Sequence, residues 1–294
     1  MYIVLFPPIL LILSEDFGVT LTALGIAMGV QGLVNTSLQL PFGYLSDNYS
    51  RTWTLAASLT FGSLGVLTVA LAESYAWLLV GQAILGIGIS AHHPAHYPLL
   101  ADSTPENLRG RVYSVHGFAG SLGFATPPVL ITAIISFEGL TWRHAVGFIG
   151  LIGAMYAVIA IIVLYRYVGD NITLPSISEE TQRRLSVRER IRQELRSVVS
   201  SPPILALGLI TFLTSTASWG ITSYLVVLLN RGYGVPQDIA NLTLTGMFVA
   251  SAIMILVGGE LTDRISAGPV MITSYSLVAV MVMVFGSLSV PAMV

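Results

Sequence analysis

The chain has 294 residues, 54% of them hydrophobic and only 10% charged, with a formal net charge of −2. A soluble globular protein carries nearer a quarter charged residues, so water is not its main solvent, and the missing basic field excludes a nucleic-acid binder. The chain has no Cys and no Lys, which excludes disulfides, thiolate-bound metals and a G-x-x-x-x-G-K-[ST] nucleotide loop.

Runs of about 20 apolar residues have the length to cross a hydrocarbon core. Met1–Leu13 is shorter, and without a basic n-region or cleavage site it reads as the second half of a helix rather than a signal peptide. Full spans are predicted at Leu21–Phe42, Thr52–Ala72, Ala76–Leu99, Val112–Ser136, His144–Tyr165, Pro203–Asn230, Ile239–Gly258 and Pro269–Val290. These nine hydrophobic segments predict an all-α polytopic membrane protein. Period-2 alternation, the mark of a β-barrel, does not occur.

Between the first two full spans lies a short charged run, Gly43-Tyr44-Leu45-Ser46-Asp47-Asn48-Tyr49-Ser50-Arg51, which reads as a loop. It returns at Gly259-Glu260-Leu261-Thr262-Asp263-Arg264, where Gly, Leu and Asp all recur at an offset of 216 residues. A long-period echo of this kind points to duplicated architecture. Placing the first copy in the cytoplasm puts eleven arginines on that side and two, Arg143 and Arg231, on the other, in keeping with the positive-inside rule.

Residues 166–201 are polar and divide the chain into a six-helix half at 1–165, a cytoplasmic linker, and three helices at 202–294. Ile191, Leu195, Val198 and Val199 are spaced for one helical face, and Ser186 to Glu189 has the form of a capping box. This segment is read as a solvated linker helix or, alternatively, as a helix lying on an anionic lipid surface.

The motif and the six-plus-three layout resemble the major facilitator superfamily, whose loop after the second helix has the pattern G-x-L-x-D-R-x-G-R-R. Gly43, Leu45, Asp47 and Arg51 match it, as do Gly259, Leu261, Asp263 and Arg264. Asn48, Ser50, Thr52 and Ser266 depart from it. The resemblance implies a fold of twelve helices, of which about nine are present here, so the chain is expected to be a fragment that lacks part of the first helix and about three final ones. Within Gly86–Pro128, His93-Pro94, Arg109-Gly110-Arg111 and the glycine-rich fifth helix are similar to fosmidomycin-resistance-type efflux proteins. Those are thought to exchange a drug for protons.

Candidate site residues follow the spans. Gln31, Asn35 and Gln39 recur at i, i+4 and i+8 and form one polar stripe, which either lines a cavity or bonds between helices. Gly25 and Gly29 form a small-xxx-small pair suited to close packing. Gln82 stands where the superfamily often has an arginine, so the charge associated with proton coupling in relatives is absent from this helix.

His92, His93 and His96 lie toward the cytoplasmic end of the fourth helix, Ala76–Leu99, where Pro94 frees a backbone carbonyl. His116 lies about 8 Å into the next helix by helical rise, so His93 or His96 could share its depth. No Asp or Glu falls mid-span, and histidine is the remaining group that titrates near neutral pH. The histidines therefore read either as a proton or substrate pathway or as groups bonded at a kinked helix end. A metal site is not expected, since no carboxylate or thiolate accompanies them.

Gly117, Gly120 and Gly123 before Pro127-Pro128 resemble the superfamily's antiporter motif, with Thr126-Pro127 in place of Gly-Pro. They suit a bending helix or close packing. Thr211, Ser215, Ser218 and Thr222 form a further stripe, with Trp219 and Tyr224 placed to cover a ligand or to pack. No nucleophile elbow occurs, and an enzyme is not expected.

The resemblance thus implies a monomeric secondary transporter in the cell membrane, without cofactor. It would move a small-molecule substrate, a drug or metabolite leaving in exchange for protons. Uptake by symport or facilitated diffusion, and a sensor or nonfunctional fragment, are the alternatives. In this picture Gly43, Asp47 and Arg51, with Gly259, Asp263 and Arg264, are conformational-switch loops, and Asp47 latches one state against a helix N-terminus or an arginine.

Overall fold

Thr20, Ser50 and Ser74 each stand just before an apolar run, and each turns its hydroxyl oxygen back onto the helix that follows. They accept from the amides of Ala23 at 3.2 Å, Trp53 at 3.1 Å and Trp77 at 3.3 Å. A cap of this kind satisfies an orphan amide and contributes about 1 kcal/mol. At a fourth start His144 takes the place of the usual Glu or Gln of a capping box, and its Nδ1 accepts from the Thr141 amide at 3.1 Å.

The computed structural model describes residues 2–169 and 199–287, with residues 172, 192 and 196 between them. Its helices are α1 (Leu10–Asp16), α2 (Leu21–Asn48), α3 (Arg51–Ala70), α4 (Tyr75–Asp102), α5 (Arg109–Ile135), α6 (Trp142–Tyr167), α7 (Pro202–Val227), α8 (Gln237–Ile265) and α9 (Ala267–Ser287). No strand occurs among the described residues. Seven helices are long and apolar enough to cross a membrane, and the last apolar stretch, Gly268–Val284, is shorter. The amphipathic helix expected within 166–201, and its capping box at 186–189, lie outside the described residues. So does the end of the predicted span Pro269–Val290.

Two expectations are corrected. The Gly43–Arg51 run is not a loop: Gly43 and Asp47 belong to α2, and Arg51 is the first residue of α3. Its echo, Gly259, Asp263 and Arg264, lies within α8. A helical glycine costs only about 1 kcal/mol, less than abandoning the backbone bonds of two turns. The stop comes at Leu45, whose carbonyl accepts from both Tyr49 at 2.9 Å and Ser50 at 3.3 Å. The first segment is also not a plain half-helix. Pro7 and Pro8 remove two donors, and the backbone takes two 3₁₀ turns, Tyr2–Val4 and Pro7–Ile9, before α1.

Packing rests on glycine. A methyl group at Gly65 of α3 would fall 2.5 Å from the backbone nitrogen of Leu85 in α4, and one at Gly88 would strike Gly62. The Tyr2 ring fills the notch between Gly62 and Gly153, and its hydroxyl lies 3.0 Å from Ser63 Oγ. The main core joins α1, α2, α3, α4 and α6 through Leu10, Leu24, Val66, Leu85 and Ile149. A second core joins the first segment, α5, α7 and α8 through Val4, Ala125, Val226 and Leu244. On α7 and α9 most large apolar side chains are exposed, as on helices whose solvent is lipid.

Candidate functional site

Pro94 and Pro98 both lie inside α4, one turn apart, and each removes an amide from the helix ladder. Pro98 has no N–H to give the Pro94 carbonyl, and Ser46 of α2 supplies the missing donor from Oγ at 2.9 Å. This bond joins α2 to α4 within a turn of the histidines.

His92, His93 and His96 of α4 and His116 of α5 stand ring against ring. The centroid distances are 4.3 Å for His92–His96, 5.2 Å for His93–His96 and 4.7 Å for His96–His116. Tyr97 and Tyr113 extend the group: Tyr97 stacks on His93 at 5.5 Å, touches His96 at 4.1 Å and lies 6.0 Å from Tyr113. The shared depth of His96 and His116 follows from the antiparallel run of α4 and α5. The tyrosines were legible by the same reasoning, since Tyr97 follows His96 directly and Tyr113 precedes His116 by three residues.

The bonding fixes where protons sit. His96 Nδ1 lies 2.8 Å from the His92 carbonyl, and a carbonyl only accepts, so Nδ1 carries the hydrogen. His96 is 7% exposed, and its Nε2 is buried without a partner. Ser58 donates to the Gly88 carbonyl at 2.7 Å, so its long 3.5 Å contact with His92 Nδ1 needs the hydrogen to come from His92. The titratable side chains acting on His92, His93 and His96 are one another and His116. Among the described residues no group of His, Cys, Asp or Glu is arranged to hold a metal ion.

The amides form a separate group. Gln31 is buried with Nε2 unpartnered, Asn35 has Oδ1 buried and unpartnered, and Gln39 is half-buried. Gly86 brings α4 close to α2, since a methyl there would fall 2.7 Å from the Gln31 carbonyl. Gln82, one turn earlier, is 1% exposed. Along α4, eleven residues separate Gln82 from His93, roughly 16 Å by helical rise, so the structure does not bring Gln82 to the histidines.

In α5, Gly117 faces Ile255 of α8, Gly120 is open, Gly123 is half-buried, and the helix runs unbroken through the buried Pro127. The close-packing pair divides: the Tyr224 hydroxyl of α7 lies against Gly25, while nothing lies against Gly29.

Ionic ties that sequence spacing did not reveal hold the helix ends. Arg51 Nη1 pairs with Asp102 at the end of α4 and also bonds the Ile172 carbonyl at 3.2 Å. At the opposite ends of the helices, Asp16 accepts from Arg143 at 2.7 Å and from Trp142 Nε1 at 3.1 Å. Two polar contacts join the first segment and α5 to α8: Gln237 donates to the Pro8 carbonyl at 3.1 Å and Asn241 to Thr132 at 3.0 Å.

The family model of the Major Facilitator Superfamily matches residues 1–294. The chain is 23% identical to the fosmidomycin resistance protein of Escherichia coli (strain K12) over 260 residues, covering 86% of this chain and 59% of that protein. It is likewise 23% identical to the nitrite extrusion protein of Bacillus subtilis (strain 168) over 254 residues, 86% of this chain and 59% of that one. Among solved structures it is similar to a bacterial homologue of the human lysosomal transporter Spinster in an inward-facing, unoccupied conformation. The TM-score is 0.66 at 17% identity, covering 90% of this chain and 59% of the other. The chain therefore spans about three-fifths of the length of these relatives.

Proposed function

Because the chain belongs to the major facilitator superfamily, we propose that it is a secondary active transporter of a small molecule that exposes its site alternately to the two sides of the membrane. Residues 1–165 form its first half, 166–201 a cytoplasmic linker and 202–294 part of the second half. The arginine count supports a cytoplasmic Arg51–Asp102 end. The relatives named for resistance and extrusion support export of a drug or metabolite in exchange for protons.

The observation that carries proton coupling is the His96–His116 pair, at 4.7 Å between ring centroids and with one buried, unpartnered ring nitrogen. Histidine charges and discharges near neutral pH, and Gly117, next to His116, packs on Ile255 of α8. The test is flux in proteoliposomes under an imposed pH gradient. His93→Ala and His116→Ala each lose the pH dependence; unchanged proton dependence in both removes the proposal.

A second reading, uptake by symport, is favoured by one observation. The titratable side chains acting on His92, His93 and His96 are themselves histidines, so protonation makes the site cationic. Gln31, Asn35, Gln39 and Gln82 serve either reading as polar groups along the substrate path. Asp47, Arg51 and the α8 echo serve as the switch between states, with Arg51 already engaged by Asp102.

A further inference from the structure

The histidine cluster has a charge type, and that charge type selects a ligand. Every titratable side chain acting on His92, His93 and His96 belongs to the group of four imidazoles, so the cluster can become positive and cannot become negative while its tyrosines stay protonated. Among the described side chains, three ion pairs engage charged groups of the neighbouring helices. Asp102, six residues beyond His96 and roughly 9 Å along α4 by helical rise, pairs with Arg51 of α3. On α5, Arg109 lies against the Ala101 carbonyl and Glu106, and Arg111 is exposed. On α8, Glu260 pairs with Arg264 at 2.6 Å, and Asp47 is exposed on the last turn of α2.

Nε2 of His96 is the group aimed at a ligand. Nδ1–H is spent on the His92 carbonyl at 2.8 Å, and Nε2 is buried with no protein partner. A proton arriving at Nε2 turns that atom from acceptor to donor. It also places positive charge on a ring 4.7 Å from His116, and a second proton on His116 adds like-charge repulsion that an anion against both rings offsets. Tyr97 adds an aromatic face and a hydroxyl donor beside the same rings, and Tyr113 lies behind it at 6.0 Å.

We propose that His93, His96 and His116, with Tyr97 and Tyr113, form a binding site for a small organic anion, and that the anion and the protons on the imidazoles bind together. The inference rests on the reading of the cluster as the proton site. It adds the substrate class and selects the second reading, symport, over export in exchange for protons: solute and proton travel in the same direction. A flat anion such as an aromatic carboxylate suits the stacked rings better than a compact one.

The test uses the full chain in lipid nanodiscs in weakly buffered solution, with benzoate and inorganic phosphate as anionic probes and benzamide as the neutral match to benzoate. Ring carbon–proton NMR shifts first follow the histidines through pH 5–8 without ligand. Adding benzoate then draws protons out of solution, read by a pH dye, and its Kd by calorimetry tightens about tenfold per pH unit lowered for each proton taken up. Phosphate behaves the same way more weakly, and benzamide moves no protons. His96→Gln and His116→Gln, each with wild-type helical circular dichroism, lose the uptake, while His144→Gln, outside the cluster, keeps it. Histidines that titrate while both anions bind without proton uptake, or release protons, overturn the anion site and leave the proton site standing. The same holds if benzamide matches benzoate or neither anion binds. Histidines that do not titrate across the range overturn the proton site itself, and the anion proposal falls with it.

Discussion

Ser46 Oγ donates to the Pro94 carbonyl at 2.9 Å, and the bond exists because Pro98 cannot. One turn along α4, residue 98 would normally supply the N–H for that carbonyl, and proline has none. Ser46 is fully buried, so water does not replace it. Ser46→Ala therefore leaves a carbonyl short of a donor and lowers stability by about 1–2 kcal/mol. Ser46→Thr keeps the hydroxyl and most of the stability. Unfolding of both variants in mixed micelles checks this; equal stability of Ser46→Ala and wild type would show that the bond contributes nothing.

Glycines at the α3–α4 seam are not interchangeable with glycines elsewhere. A methyl at Gly65 meets the Leu85 backbone at 2.5 and 2.7 Å, and one at Gly88 meets the Gly62 backbone, neither of which can rotate away. Gly65→Ala and Gly88→Ala push the helices apart and cost about 1–3 kcal/mol or more. Gly29→Ala meets nothing within 4 Å, and by helix propensity it gains up to about 1 kcal/mol. Thermal unfolding in detergent of the three variants orders them; a Gly29→Ala protein less stable than Gly88→Ala reverses the assignment.

These two seams show what the sequence made legible. Spans were readable because lipid demands about 20 apolar residues in a row, and seven of the described helices meet that demand. The switch motif was readable as a pattern but not as structure. Gly43, Ser46, Asp47 and Asn48 are turn-type residues, yet α2 keeps its ladder through them and stops only at Tyr49. Ser50, the N-cap of α3, was the true boundary signal. Of the candidate site, the His96–His116 contact followed from counting residues along two antiparallel helices. Gly25 and Gly29, equal by spacing, proved unequal because only Gly25 meets another helix, at Tyr224. Arg51 and Asp102, fifty-one residues apart, carry no periodic signal linking them.

Asp16 holds the other helix ends. It accepts from Arg143 at 2.7 Å and Trp142 Nε1 at 3.1 Å, while Arg143 also donates to the Ala72 carbonyl at 2.9 Å and lies over the Trp142 ring at 4.4 Å. Removing the carboxylate leaves the indole N–H without its acceptor, although both charged side chains are about a third exposed, which limits the ionic part. Asp16→Ala costs about 1–2 kcal/mol. Asp16→Asn, which keeps an acceptor for Trp142, costs less. Trp142 fluorescence during denaturation follows both variants, and an Asp16→Asn protein as unstable as Asp16→Ala would assign the effect to charge alone.

The Arg51–Asp102 pair is asymmetric, and the asymmetry is testable. The Arg51 side chain is 10% exposed and that of Asp102 is 47% exposed. Taking away the carboxylate strands a nearly buried guanidinium, with only the Ile172 carbonyl left at 3.2 Å. Taking away the guanidinium strands a carboxylate that water can still reach. Asp102→Ala should therefore cost about 2 kcal/mol, and Arg51→Met, which keeps the packing stem, about 1 kcal/mol or less. The double variant should sit close to Arg51→Met, because once the guanidinium is gone the carboxylate has little left to lose. A double-mutant cycle by denaturant unfolding in mixed micelles reads the coupling directly. Single-variant costs in the opposite order, or costs that simply add, would mean that the pair is an exposed contact rather than the tie between the start of α3 and the end of α4.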